Sequence, residues 1–114
     1  MSPVEVRTDA VDGTSIIRLE GTLDGSTAPS AQAAIGPQVA PGCRLVIDLS
    51  AVEYMSSAGL RLMLSIFRQV SAGGGKVAMT GLSAEIQDTM SLTGFLDFFT
   101  TADTLDGALL AVHA

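Results

Sequence analysis

Apolar and polar residues alternate over several short stretches of the chain, which is the two-residue period of strands with one buried face. Val11-Asp12-Gly13 separates the first two stretches and is typical of a hairpin turn. Leu45-Val46-Ile47 is instead an uninterrupted apolar run, as expected of a strand covered on both faces. The predicted strands cover residues 4–8, 14–19, 43–49, 76–80 and 98–100.

Between the later strands, apolar residues recur at the spacing of amphipathic helices. Residues 57–72 form the clearest helix, because Leu60, Leu64 and Phe67 fall on one stripe. The other helices are predicted from candidate N-cap residues, which are Thr27, Ser83 and either Asp103 or Thr104. The longer segments predicted as loops are residues 21–27 and 50–56.

The resulting order of elements, ββαβαβαβα, predicts an α/β fold with a mixed, mainly parallel sheet and flanking helices. Strands that alternate with helices imply right-handed crossovers, and the opening hairpin adds an antiparallel pair. The length of 114 residues fits one domain over residues 1–114. With four phenylalanines, one tyrosine and no tryptophan, the core is expected to be mostly aliphatic.

Charge and targeting signals narrow the classes of function. The net charge of −6 and the scattered basic residues argue against nucleic acid and against an anionic membrane surface, since both require clustered Lys and Arg. No signal-peptide pattern is visible, and no apolar run approaches the ~20 residues that span a bilayer. We therefore expect no membrane insertion. The single cysteine, Cys43, fits a reducing compartment, so the cytoplasm is the expected location.

The candidate functional segment joins the central strand to the longest predicted helix. In open α/β sheets the functional crevice lies at the carboxyl ends of the strands, where Ser56 and Ser57 fall. A helix begins there, with free backbone N–H groups and the positive end of the helix dipole. The small residues Ala58 and Gly59 leave the backbone open to a partner. The alternative is that either serine is only an N-cap.

Four segments of the chain, taken together, resemble segments of one known domain family. Leu19–Asp24 followed by Thr27-Ala28-Pro29 is similar to the second strand of that family and the loop after it. Leu45–Ser50 resembles its central strand, and Gly74–Val77 resembles the entry into its fourth strand. Ser56–Leu60 is similar to the family signature that follows the central strand. These segments resemble the STAS-domain family of anti-sigma factor antagonists, and the resemblance implies the STAS fold.

This resemblance implies an interaction switch that needs neither catalysis nor a cofactor. Unmodified antagonists bind an anti-sigma factor, typically a serine kinase of the histidine-kinase-like ATPase fold, and free the sigma factor it holds. That kinase phosphorylates a serine at the helix start, the phosphorylated form lets go, and a phosphatase is a further expected partner. Alignment on Gly59-Leu60 puts the acceptor on Ser57. Many members have aspartate at the preceding position, where this chain has Ser56, so Ser56 is the second choice of acceptor. The implied partner-binding residues are Asp24, Met55, Ser56, Ser57, Ala58, Gly59 and Leu60.

Other functions remain open from the sequence. A STAS subunit of a membrane lipid ABC importer would keep the fold and bind an ATPase subunit without phosphorylation. Asp48 ends an apolar run as in phospho-acceptor receivers, although the acidic pair that receivers require is not evident. Cys43 and His113 are each the only residue of their type, so neither a metal site nor a Ser-His-Asp triad is expected. A small-molecule-binding or enzymatic domain is the remaining alternative.

Overall fold

The computed structural model describes residues 4–94, 96 and 99–113. Within them, the elements follow the predicted order, which confirms the mixed α/β fold. The strands are β1 (Glu5–Val11), β2 (Thr14–Leu23), β3 (Arg44–Met55), β4 (Lys76–Thr80) and β5 (Thr100–Ala102). The helices are α1 (Ala28–Ile35), α2 (Ser57–Ala72), α3 (Ala84–Leu92) and α4 (Leu105–Val112), with a short 3₁₀ turn at Gly36–Gln38.

The five strands form one sheet in the order β1-β2-β3-β4-β5. Strands β1 and β2 are antiparallel, and each later pair is parallel. Asp12 and Gly13 form the turn of the opening hairpin with φ of 50° and 80°. Two successive positive φ values define a type I′ turn, whose twist matches that of paired strands. The hairpin predicted from Val11-Asp12-Gly13 is therefore confirmed.

Helices cover both faces of the sheet unequally. Helices α1, α2 and α3 lie on one face and bury the larger apolar cluster against it. Helix α4 covers the other face through a smaller cluster: Ile16, Val46, Ala78, Ala108 and Val112. Two contacts hold the end of α4. Arg44 Nε donates to the carbonyl oxygen of Val112 at 3.1 Å, and His113 Nε2 lies 2.8 Å from Thr14 Oγ1. In the part of the chain described, no helix is long and apolar enough to cross a membrane.

Strand β1 extends to Val11 and not only to residue 8, and two further strands run on towards the candidate site beyond their predicted ends. Strand β2 continues to Leu23 and β3 continues to Met55, so both predicted loops, 21–27 and 50–56, begin as paired sheet. The β2–β3 pairing shifts register twice before it reaches Leu23. Such irregularities break the two-residue alternation by which a strand is identified in a sequence. The sheet therefore extends as far as Met55, directly before Ser56.

Two of the three predicted N-caps are present, and the last strand is shifted from its predicted position. Ser83 and Thr104 each accept a hydrogen bond from the first turn of their helix, as predicted. Thr27 precedes α1, but its side chain does not cap that helix, because its hydroxyl donates to the carbonyl oxygen of Thr22 in β2 and accepts the N–H of Asp24. Strand β5 covers Thr100–Ala102, and Phe99, which was predicted within this strand, lies before it. Phe98 lies outside the described residues.

Candidate functional site at the start of helix α2

Ser56 is the N-cap of α2. Its backbone is extended, with φ −83° and ψ 177°, and its Oγ accepts a hydrogen bond from the backbone N–H of Gly59 at 3.5 Å. Its own N–H donates to the carbonyl oxygen of Leu23, at the end of β2, at 2.9 Å. The side chain is half-buried. Ser56 therefore fixes the start of α2 and ties it to the neighbouring strand.

Ser57 is the first residue of α2, and it is exposed. Its hydroxyl forms no hydrogen bond to any of the residues that the structure describes. The first N–H groups of a helix lack partners within the helix, and the helix dipole makes this end positive. The structure therefore presents an unengaged hydroxyl to solvent at a position where added negative charge is tolerated.

Gly59 is buried where α2 passes over the ends of β2 and β3. A Cβ atom at this position would lie 2.8 Å from the carbonyl oxygen of Leu23 and 2.8 Å from Cγ of Met55. Leu60 and Met55 are only 2% and 7% exposed. Met55 is thus buried beneath the motif, although the family resemblance counts it among the partner-binding residues. These three residues support the helix start from below.

The carboxylate of Asp24 organises the loop between β2 and α1. Its Oδ1 accepts hydrogen bonds from the side chain and the N–H of Ser26, at 2.7 and 2.9 Å, and from the N–H of Thr27 at 3.2 Å. These bonds, above all the one from the Ser26 hydroxyl, hold the pKa of Asp24 below its ordinary value. A Cβ atom at Gly25 would lie 4.0 Å from Cβ of Ala58. The loop therefore lies beside the first turn of α2.

The structure brings the predicted contact residues to one end of the sheet, at different depths. Ser57 is exposed, and the half-buried residues are Asp24, Ser56 and Ala58. The buried ones are Met55, Gly59 and Leu60. The sequence analysis missed Tyr54, which is 57% exposed beside the motif. The signal was available, since this is the only tyrosine of the chain, but treating residues 50–56 as a loop hid its outward position on β3.

Asp48 is not part of this site. It is buried within β3, and its Oδ2 accepts a hydrogen bond from Arg18 Nε at 3.0 Å, while its Oδ1 accepts one from the N–H of Ser50 at 2.9 Å. Burial alone would raise the pKa of Asp48, but the hydrogen bonds from Ser50 and Arg18 outweigh it and the pKa lies below its ordinary value. No group of three His, Cys, Asp or Glu among the described residues could hold a metal ion. The ion pair with Arg18 accounts for Asp48 without a receiver-type site.

Comparisons with known proteins agree with the resemblance read from the sequence. The STAS domain family matches residues 5–108. BtrV of Bordetella bronchiseptica is 32% identical over 104 residues, which cover 90% of each chain. The anti-sigma-F factor antagonist RsfB of Mycobacterium tuberculosis is 30% identical over 103 residues, which cover 90% of this chain and 84% of RsfB. The crystal structure of an anti-sigma factor antagonist from Mycobacterium paratuberculosis superposes with a TM-score of 0.86 at 32% identity, over 97% of this chain and 95% of that one.

Proposed function

Since the chain belongs to the STAS domain family, we propose that it is an anti-sigma factor antagonist, which frees a sigma factor by binding the anti-sigma factor that holds it. The partner in this proposal is a cytoplasmic serine kinase of the histidine-kinase-like ATPase fold. Phosphorylation of Ser57 by that kinase ends the binding, and a phosphatase restores it. The chain itself catalyses nothing in this cycle, in keeping with the regulatory role of its named relatives.

The different positions of the two serines support Ser57 as the acceptor. Ser56 uses its hydroxyl to cap α2 and is half-buried, so modifying it would remove the cap. Ser57 is exposed and has its hydroxyl free of hydrogen bonds to the described residues, so a kinase can reach it without disturbing the helix. This contrast is the main structural support for the proposed switch.

The position of Ser57 also explains how phosphate could end binding and leave the fold intact. A phosphoserine carries about −1.5 to −2 charges at neutral pH. At a helix N-terminus that charge meets free N–H groups and the positive end of the dipole, so the fold accommodates it. In a close interface the same charge would lose its water, which is costly unless the partner supplies a counter-charge. Folding is thereby retained while the complex is weakened.

The surface offered to the partner is built in two layers. Ser57 lies outermost, with Ser56, Ala58 and the Asp24 loop around it. The buried residues Met55, Gly59 and Leu60 set the height and direction of this surface from underneath. Asp24 acts here mainly through the loop it holds, because its carboxylate already bonds to Ser26 and Thr27. We expect substitutions of the lower layer to weaken binding by shifting α2.

The test incubates the protein with a candidate kinase-type anti-sigma factor from the same organism and with ATP. Intact-mass analysis should show one phosphate on wild type and on Ser56→Ala, and none on Ser57→Ala. In a pull-down without ATP, wild type and Ser57→Ala should capture the kinase while Ser57→Asp should not. Ser71→Asp is the matched control, because Ser71 is an exposed serine at the opposite end of the same helix. It should bind like wild type.

Three results would overturn parts of the proposal. Phosphate on Ser57→Ala but not on Ser56→Ala would move the acceptor to Ser56. Equal capture by wild type, Ser57→Asp and Ser71→Asp would show that charge at Ser57 does not control binding. A captured ATPase subunit of a membrane complex, in place of a soluble kinase, would favour a constitutive transporter subunit.

A further inference from the structure

Strand β1 forms an edge of the sheet and is almost fully exposed. It pairs with β2 on one side, and six of its seven residues are exposed. An edge strand of this kind presents a row of unpaired N–H and C=O groups, which another strand can join. The side chains of β1 determine which strand can pair with this edge.

The hairpin turn determines which backbone groups of β1 are unpaired. In a hairpin with a two-residue turn, the residues that flank the turn exchange both of their backbone hydrogen bonds. Here these are Val11 and Thr14, which stand opposite each other. Hydrogen-bonded positions recur at every second residue, so the odd-numbered residues of β1 bond to β2. The groups that point out of the sheet edge belong to Val6, Thr8 and Ala10.

Two oppositely charged residues of β1, Arg7 and Asp9, have no close ion-pair partner among the residues that the structure describes. Arg7 stands opposite Arg18, a like charge, across the β1–β2 pair. Its contact with Glu5 is 4.0 Å long, and the two side chains are 74% and 62% exposed. Asp9 stands opposite the apolar Ile16 and forms no ion pair with the residues that the structure describes. Arg7 and Asp9 are thus available to charges brought by another strand.

We propose that β1 pairs antiparallel with β1 of a second copy of this chain, joining two five-stranded sheets into one. When Glu5–Val11 overlaps its copy over the full length, Thr8 meets Thr8 of the second copy on the two-fold axis. Arg7 then faces Asp9 of the second copy, and Asp9 faces its Arg7. These are non-hydrogen-bonded positions, at which opposing side chains stand closest.

The same charges oppose every neighbouring register. Because only even-numbered residues carry free backbone groups, the two strands can slip only in steps that keep even residues opposite each other. One such step places Arg7 against Arg7 of the second copy, and a step the other way places Asp9 against Asp9. Like charges directly opposite each other are destabilising. The sequence of β1 therefore selects the register of full overlap.

The other face of β1 is compatible with this pairing. In the register of full overlap, Val6 faces Ala10 of the second copy, so no charge is brought between the sheets on the face that carries α1, α2 and α3. A two-fold axis through Thr8 stands perpendicular to the sheet, so the three helices of both copies lie on the same side. Ser57 follows β3, the third strand from this edge, and stays outside the contact. The inference does not depend on the proposed switch.

Charge reversal at the two residues gives a direct test. Sedimentation velocity should give wild type twice the chain mass of 11.7 kDa, and Arg7→Asp or Asp9→Arg alone the single mass of 11.7 kDa. An equimolar mixture of the two variants should recover the doubled mass, because each reversed charge then faces its opposite. Arg68→Asp and Asp88→Arg, which alter exposed charges on α2 and α3, are the controls and should stay dimeric. Circular dichroism should show all variants folded.

Amide hydrogen exchange gives a second readout that does not rely on variants. In the dimer, the amides of Val6, Thr8 and Ala10 should be protected, and dilution should remove their protection while Arg7 and Asp9 stay protected by β2. Wild type at the single-chain mass even at its highest workable concentration would overturn the proposal. A dimer that survives both single reversals, or a mixture that stays monomeric, would overturn the proposed β1 contact.

Discussion

Leu23 and Gly59 approach each other so closely that residue 59 has no room for a side chain. A Cβ atom at Gly59 would lie 2.8 Å from the carbonyl oxygen of Leu23, and the same carbonyl accepts the N–H of Ser56 at 2.9 Å. The end of β2 and the first turn of α2 therefore form one rigid junction. The position of Ser57 is set by this junction more than by the loop that precedes it.

Gly59→Ala should destabilise the protein by about 1–3 kcal/mol, because the obstructing atom belongs to the backbone and cannot rotate away. Urea denaturation measures this change in the free energy of unfolding. Gly25→Ala is the control: outside its chain neighbours a Cβ there would meet only Cβ of Ala58 at 4.0 Å, an ordinary contact, and its φ is not in the left-handed region. That control should be neutral or slightly stabilising. Equal effects at the two glycines would contradict the close junction.

Alanine substitutions at Gly81 and Gly94 distinguish the cost of a steric clash from the cost of a left-handed backbone. Both have φ of +77°, but a Cβ at Gly81 would lie 2.5 Å from the backbone nitrogen of Ser50, whereas at Gly94 it meets nothing within 4 Å. Gly94→Ala should cost about 1–2 kcal/mol for the left-handed backbone alone. Gly81→Ala should cost clearly more, since the clash adds to the same strain. Thermal unfolding of the two variants, compared with wild type, decides between these outcomes.

Ser56→Ala and Ser57→Ala should differ in stability. Loss of the Ser56 cap should cost about 0.5–1 kcal/mol, the low end for N-caps, because its hydrogen bond to Gly59 is long at 3.5 Å. Loss of the exposed Ser57 hydroxyl should change the free energy of unfolding by less than about 0.5 kcal/mol. Denaturant titration of both variants provides the measurement. A larger cost at Ser57 would show that its hydroxyl has a structural role.

Asp48 should make stability depend on acid. Its pKa in the folded state lies below the ordinary 3.8, so its carboxylate stabilises the fold above that pH, and this stabilisation is lost as the pH falls through the lowered folded value. Wild type should therefore lose stability more steeply than Asp48→Asn between about pH 5 and pH 3. Asp24, whose pKa is also lowered, contributes to the loss in both proteins. Parallel pH profiles for the two would refute the role of Asp48.

Arg18→Met tests the ion pair from its other side. The Arg18 side chain is about half exposed while that of Asp48 is buried, so removing Arg18 leaves a buried carboxylate with Ser50 as its only described partner. The expected cost is on the order of 1–3 kcal/mol at neutral pH, measured by urea denaturation. It should shrink at low pH, where Asp48 is protonated. A cost that does not change with pH would point to lost packing by the arginine stem.

Patterns of neighbouring residues in the sequence predicted the elements whose ends depend only on nearby residues. The bounds of α2 and β4 match the predicted residues 57–72 and 76–80, because a capped amphipathic helix followed by glycines leaves little choice. The ends of β2 and β3 were missed because their bulged pairing connects residues far apart in the chain. The depth of Met55 was missed for the same reason, since its burial depends on where α2 crosses the sheet.

Among the described residues, the buried cluster that joins α4 to the sheet contains five residues, two of them from α4 itself, whereas the cluster on the face of α1, α2 and α3 contains nineteen. Local opening takes least free energy where few apolar contacts must separate, so α4 should detach before the rest of the fold. A protease would then reach the segment before α4 while the start of α2 is still folded. The helices on the two faces of the sheet should thus stay folded for different times, and Ser57 belongs to the face that opens later.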